Sequence, residues 1–325
     1  MAFIGLREAD RVEINILVDN TSDLLLADSP YVRRLRVQPP AAPLAEHGLS
    51  CLVSAWAGDE KHTILMDAGI SGTCMLHNAA LLAAGTAAQQ GFVANRLEDA
   101  EAVVLSHGHF DHFQGMHPYL QKTKRKLPLI LHPAAFSRRR SRPNARQMMR
   151  LPNLDRHALE AAGALLDERK QPSTLADGLI LVTGQVERET DFEKGSPGLE
   201  ANLGGEWIQD PFLDDQGIAL NLKGKGLIVL SGCSHSGIIN TVLHARKITG
   251  VRNVHAVMGG FHLGGRSEAL IEPTVDAMLS VNPDVLVPMH CTGWKAIDRF
   301  AQMMPEAFIF NSVGTTYLFS SQITN

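Results

Sequence analysis

The stretch Ala102-Val103-Val104-Leu105-Ser106-His107-Gly108-His109-Phe110-Asp111-His112 decides the fold. Its apolar run is short enough for a buried strand and stops at Ser106. Four metal-capable side chains follow within six positions. His107 and His109 stand two apart, so an extended chain points both imidazoles the same way. Asp111 and His112 come next, where Phe113-Gln114-Gly115-Met116 can open a helix and aim them at a second point. Imidazole with carboxylate is a borderline-to-hard donor set suited to Zn, Fe or Mn. The alternative, a satisfied polar turn, does not account for so dense a set at a strand end.

Other strands end in the same kind of residue. The 12–18 strand runs into Asp19-Asn20, and strands 48–56 and 62–66, joined by Gly58-Asp59-Glu60-Lys61, end in Asp67-Ala68-Gly69. A carboxylate there can orient a ligand histidine, although an isolated turn aspartate would look the same. Short strands are read at 129–132 and 179–183. The last third repeats strand, polar strand end, helix. The hairpin 217–222/226–230 leads to Cys233 and His235 and then a helix over 238–249, closed by Gly250. Strand 254–258 leads to His262 and a helix over 273–281. Strand 285–287 leads to His290-Cys291, followed by an amphipathic stripe of Trp294, Ile297, Phe300 and Met304. A helix is also read over 78–84. Side chains from several strand ends can converge at one sheet edge. His107, His109 and one later histidine would hold one metal, and Asp111, His112 and another would hold a second. Cys233 is either a thiolate ligand or a buried small residue. His262 is open between ligand, substrate contact and structural role.

At 325 residues with 45% hydrophobic content, the chain can bury a substantial core; with no clear repeat it reads as one domain over 1–325. A net charge of −4 argues against a nucleic-acid surface, and no apolar run reaches membrane-spanning length. Four cysteines without a CxxC, and residues 1–11 without a signal-peptide layout, set a cytoplasmic expectation. Within 137–157, Arg138, Arg139, Arg140, Arg142, Arg146 and Arg150 form a basic insertion, either a clamp for an anionic substrate or a solvated helix face. Residues 187–216, rich in glycine and weakly periodic, read as a lid loop. The irregular, proline-rich 25–43 segment reads as a loop over the site or a surface connection.

The 107–112 stretch matches the HxHxDH motif position for position, and the chain thereby resembles the metallo-β-lactamase superfamily. Asp19-Asn20, Ala45-Glu46-His47-Gly48-Leu49-Ser50, Gly232-Cys233-Ser234-His235-Ser236-Gly237-Ile238, Gly259-Gly260-Phe261-His262-Leu263 and His290-Cys291-Thr292-Gly293 resemble its dihydropteroate-synthase-like branch, over residues 12–319. That branch includes 7,8-dihydropterin-6-yl-methyl-4-(β-D-ribofuranosyl)aminobenzene 5′-phosphate synthases. The resemblance implies an α/β (α+β) fold, an αββα sandwich of two mixed sheets with helices outside and metals at one edge. It assigns His107 and His109 to a first metal, and Asp111, His112 and His290 to a second. The superfamily usually has a bridging aspartate where this chain has Gly232-Cys233, and a separate earlier histidine. Here His235 stands in for that histidine, or Cys233 for the aspartate, leaving one or two divalent ions, with Zn ahead of Mn and Fe. Asp67, His47, Asp19, Asn20 and Arg188 are candidates for orienting ligands or meeting substrate, and Asp111 and His262 for catalysis.

The expected function is hydrolysis of a small, in some cases anionic, molecule, with a metal-held hydroxide attacking an ester, amide, lactone or phosphoester centre. One alternative is a metal-dependent transferase condensing a pterin diphosphate with an aryl amine. Another is a non-catalytic protein that binds a small molecule or metal. No nucleic-acid or membrane partner is expected, and the sequence leaves the oligomeric state open.

Overall fold

The computed structural model describes residues 3–37, 39–88, 95–144 and 146–322. Period-two alternation of apolar residues builds two sheets that pack face to face. Val12, Ile14, Ile16, Cys51, Val53, Ile64, Met66 and Val104 of one sheet meet Ile218, Leu220, Ile228, Leu230, Met258 and Val287 of the other in a shared core. The intervening residues point outward. Leu52, Leu65 and Val103 lie under the helices Gly72–Ala88 and Met116–Thr123, and Val229, Val257 and Leu286 under Ile238–Thr249, Ile271–Val281 and Trp294–Met303. The layers are α, β, β, α, as expected.

The first sheet runs in the order Ala164–Glu168, Leu127–Leu131, Ala102–Val104, Glu60–Met66, Ser50–Ala57, Arg11–Val18, Thr316–Ser320, Val32–Arg33. Its strands from Glu60–Met66 through Ala164–Glu168 are parallel. The second sheet runs Ser173–Leu175, Ile180–Val182, Gly217–Leu222, Gly226–Ser231, Val254–Gly260, Val285–Met289, and its last three strands are parallel. Parallel neighbours bring their carboxyl ends to one edge. Asp67, His107, His235, His262 and His290 all follow directly from such ends. No helix among the described residues is long and apolar enough to cross a membrane.

Four expectations change. The 187–216 stretch is not structureless, since Leu199–Leu203 and Glu206–Gln209 form a hairpin whose two-residue turn is Gly204-Gly205, both with positive φ. This hairpin adds to strands Arg139–Asn144 and Gln147–Arg150 in a third, four-stranded sheet. Arg139, Arg140, Arg142 and Arg150 of the arginine cluster therefore lie on strands rather than a helix, and Arg140 stacks on Trp207 at 4.2 Å. The 78–84 helix extends over Gly72–Ala88, because an alanine-rich segment propagates without marked amphipathic periodicity. Trp294 starts its helix but is 71% exposed, the buried stripe being carried by Ala296 and Phe300. Next to the 25–43 segment, Leu44 N–H donates to Asn78 Oδ1 (2.8 Å), and His77 Nε2 lies 2.8 Å from the Ala42 carbonyl, which fastens the segment's end to the Gly72–Ala88 helix.

Candidate metal centre and active site

His107, His109 and His235 form a trio of buried rings. Their centroids are 4.7 to 4.8 Å apart and their planes cross at 70° to 87°. Nε2 of His107 and Nε2 of His109 are buried with no hydrogen-bond partner. Unpaired buried polar atoms are costly, and edge-on imidazoles converging on one point are the arrangement a cation relieves. Gly108 permits the turn between the two histidines: a Cβ there would sit 2.1 Å from the Ala135 carbonyl oxygen.

Beside the trio lies an oxygen, nitrogen and sulfur set. Asp111 Oδ2 is 3.3 Å from His290 Nε2, 3.3 Å from His47 Nε2 and 3.8 Å from His112 Nε2. The His290 nitrogen is buried and makes no hydrogen bond. His112 Nε2 lies 3.1 Å from Cys233 Sγ. Two donor sets have the density of a metal site around the trio, His107-His109-His235 and His107-His112-Cys233; two more, His47-Asp111-His290 and Cys233-His290-Cys291, lie alongside. Three orphaned imidazole nitrogens within a nitrogen-rich donor set fit a zinc-class divalent ion.

Several groups aim these ligands from behind. Asp67 Oδ2 accepts from His112 Nδ1 (2.6 Å) and from Ser106 Oγ (2.7 Å), and its Oδ1 accepts from Ser106 N (2.7 Å). This carboxylate fixes the His112 tautomer with Nε2 facing the centre. Replacing Asp67 with Asn is expected to weaken metal binding about 10- to 100-fold. Competition against a chromophoric chelator measures this, and unchanged affinity would contradict the assignment. Asp19 Oδ1 accepts the His290 N–H (2.8 Å), and Asn20 Nδ2 donates to the His290 carbonyl (3.0 Å). His47 is exposed at the mouth. Arg188 is also exposed; its guanidinium donates to the Pro211 carbonyl (2.8 Å), and no described contact joins it to the imidazoles.

The site also uses residues that sequence reasoning passed over. Ser196 Oγ lies 2.8 Å from His235 Nδ1 and 3.3 Å from His262 Nδ1. One hydroxyl can accept from the first ring and donate to the second, which leaves His235 Nε2 facing His109 Nδ1 at 3.2 Å, where the donors of the trio gather. Phe212 stacks on His235 at 4.0 Å with planes 6° apart. Asp214 Oδ2 accepts the Gly108 N–H (2.8 Å), Asp215 Oδ2 accepts the Ser236 N–H (2.7 Å), and Gln216 Nε2 donates to the Leu105 carbonyl (2.8 Å). The tripeptide Asp214-Asp215-Gln216 thus ties the His107–His109 loop to the His235 loop. Its only sequence signal was two adjacent acids before a strand. Asp67, Phe212, Ser234, His262 and His290 all have positive φ. Left-handed backbone in non-glycine residues is strained, so its concentration here marks a preorganised site.

Electrostatics separate the ligands. Burial, with neighbouring cationic groups, lowers His107, His109 and His235 well below the usual imidazole range, so they are neutral donors at pH 7. Burial also takes His290 down to about 4. Burial works against protonated His112 too, but Asp67 and Asp111 outweigh it and raise this ring to about 9. Asp111 is the converse: burial opposes its charge, while His112, His290 and His47 hold it well below the usual carboxylate range. A metal reaching His112 must displace its proton. Affinity is therefore expected to rise by up to about tenfold per pH unit from pH 7 and to level off as pH approaches 9, as for release of one proton. Chelator competition at pH 7 and pH 8 checks this, and pH-independent binding would contradict it.

Known proteins share this architecture. Residues 62–177 match the β-lactamase superfamily domain model. The chain is 30% identical over 268 residues to the 7,8-dihydropterin-6-methyl-4-(β-D-ribofuranosyl)-aminobenzene-5′-phosphate synthase of Methanocaldococcus jannaschii, covering 81% of this chain and 87% of that one. It is also 30% identical over 270 residues to an uncharacterized protein of the same archaeon, covering 83% and 92%. Among solved structures, Tm1679, described as a metal-dependent hydrolase of the β-lactamase superfamily, superposes with a TM-score of 0.69 at 22% identity, covering 94% of this chain and 98% of that one. Unliganded yeast PDE1 gives a TM-score of 0.54 at 11% identity, covering 96% and 100%. The chain belongs to the β-lactamase superfamily, in the family of the archaeal dihydropterin–aminobenzene phosphate synthase.

Proposed function

We propose that this chain is a metal-dependent enzyme acting on a small molecule, and that it hydrolyses an ester, amide, lactone or phosphoester centre. The observation that carries the reading is the meeting of His107, His109 and His235 with Asp111, His112 and His290 at one sheet edge, with three of their nitrogens buried and unpartnered. His107, His109 and His235 would hold one ion, and Asp111, His112 and His290 a second. A divalent ion there supplies Lewis acidity and brings the pKa of a bound water toward neutrality. The chain's own groups do the rest. Asp111, kept ionised by its three histidine neighbours, can accept a hydrogen bond from the attacking water and orient it at the mouth. His262 is held neutral by burial, and with its Nδ1 accepting from Ser196 it keeps an N–H on Nε2 that can hydrogen-bond charge developing on a leaving group. Its ring centroid is 4.3 Å from that of His235, within one ring of the trio.

A second reading, transfer, is favoured by the named synthase at 30% identity. In it the same residues assist departure of diphosphate while an aryl amine replaces water. Mixing a pterin diphosphate with an aryl amine distinguishes the two. Diphosphate release matched by coupled product supports transfer, and release without coupling supports hydrolysis. Binding without turnover by metal-loaded protein, across these substrates and a hydrolase screen, would contradict both and leave a binding protein. The proposed setting is the reducing cytoplasm, consistent with four free cysteines, with a small molecule as partner rather than nucleic acid or membrane.

A further inference from the structure

Two cysteines far apart in sequence meet at the centre. Cys233 Sγ belongs to two donor sets at once, one with His107 and His112 and one with His290 and Cys291, and in each set the donor atoms lie within 4.8 Å of one another. The sulfur of Cys233 therefore sits between the two halves of the site. Cys291 directly follows His290, so the short turn that delivers the imidazole also delivers a second thiol. That thiol makes a long contact, 3.7 Å, to the Cys233 carbonyl oxygen, and its sulfur lies within 4.8 Å of the Cys233 and His290 donor atoms. Room for it comes from a glycine: a Cβ on Gly260 would stand 2.7 Å from Cys291 Sγ. Independently, His290 Nε2 is buried and without a hydrogen-bond partner.

We propose that Cys233 and Cys291 join His290 as ligands of the second ion, which makes that position of the centre a sulfur-ligated one. The inference rests on the metal-dependent reading above and sharpens it. Thiolates favour borderline and soft cations, so this position takes zinc or cobalt and discriminates against magnesium and manganese, which prefer oxygen. Each thiol gives up its proton to the buffer as the metal–sulfur bond forms, and no oxidant or reductant is involved.

The test is optical. The full-length protein, freed of metal and reduced, is titrated with cobalt(II) without oxygen. The expected result is a sulfur-to-cobalt charge-transfer band in the near ultraviolet, alongside the visible ligand-field bands of cobalt held by imidazole. C233S and C291S should each lose about half of the charge-transfer intensity and the double variant all of it, while ligand-field bands from the His107, His109 and His235 position persist. A wild-type spectrum with ligand-field bands but no charge-transfer band overturns the sulfur position and leaves the metal-dependent reading standing. So does a band that survives both substitutions, since its sulfur would lie elsewhere. No cobalt uptake by the wild-type protein overturns both. The wild-type spectrum is decisive even where a variant fails to fold.

Discussion

Replacing His107 and His109 together with alanine is expected to remove the metal from the imidazole trio and to lower turnover of a true substrate by about 10³-fold or more. The size follows from the role: a catalytic metal is worth several kcal/mol of charge stabilisation, and each ~1.4 kcal/mol is a factor of ten in rate. The fold should survive. Both rings are buried, but each carries a nitrogen with no partner, so truncation also deletes two unsatisfied polar atoms and offsets part of the lost packing. Metal-free wild type and variant should accordingly show similar thermal melts, while the wild type gains more stability than the variant when metal is added, since the variant keeps one of the two positions. Undiminished turnover in a folded variant would sink the catalytic assignment.

Replacing Arg139 with Met is expected to have the largest effect on stability. Arg139 is 3% exposed; its Nε donates to Asp210 Oδ2 and its Nη2 to Asp214 Oδ1, each at 2.6 Å. Both carboxylates are themselves buried. Met fills most of the volume but leaves two buried acids without their cation, and breaking such a group costs about 3–5 kcal/mol. Because Asp214 also accepts the Gly108 N–H, the loss should reach the metal loop and weaken metal binding as well. Urea denaturation measures the first effect. A loss below about 1 kcal/mol would show that Arg139 is an ordinary surface-type ion pair.

The same arginine shows where sequence reading stopped. The HxHxDH stretch was legible because its ligands are local and their spacing fixes their direction. His235, His262 and His290 were legible because each ends a strand that its apolar alternation already marks. Arg139 looked like one member of a basic cluster, since its two acids lie 71 and 75 residues away and nothing local separates a buried arginine from an exposed one. The hairpin within 187–216 was hidden for a related reason. Glu206, Ile208 and Gln209 on its second strand are exposed, so no apolar alternation marks it, and Gly204-Gly205 was the remaining cue. Ser196, Phe212 and the Asp214-Asp215-Gln216 tie act through contacts that only the folded chain creates.

Asp67 differs again. As a single strand-end aspartate it was indistinguishable from a turn residue, yet the fold puts it under His112 and Ser106 at once. Its position at the end of Glu60–Met66, next to Ala102–Val104 in a parallel pair, is what brings it beneath the motif. Adjacent parallel strands with polar carboxyl ends are a stronger signal together than either is alone.

The central claim is that the convergent histidines form a metal centre, and metal content per chain tests it most directly. Elemental analysis of protein purified without added metal or chelator should give about two divalent ions per chain, falling to about one in the His107/His109 double alanine variant. Wild-type protein without metal, and unable to take it up on addition of zinc, would contradict the account.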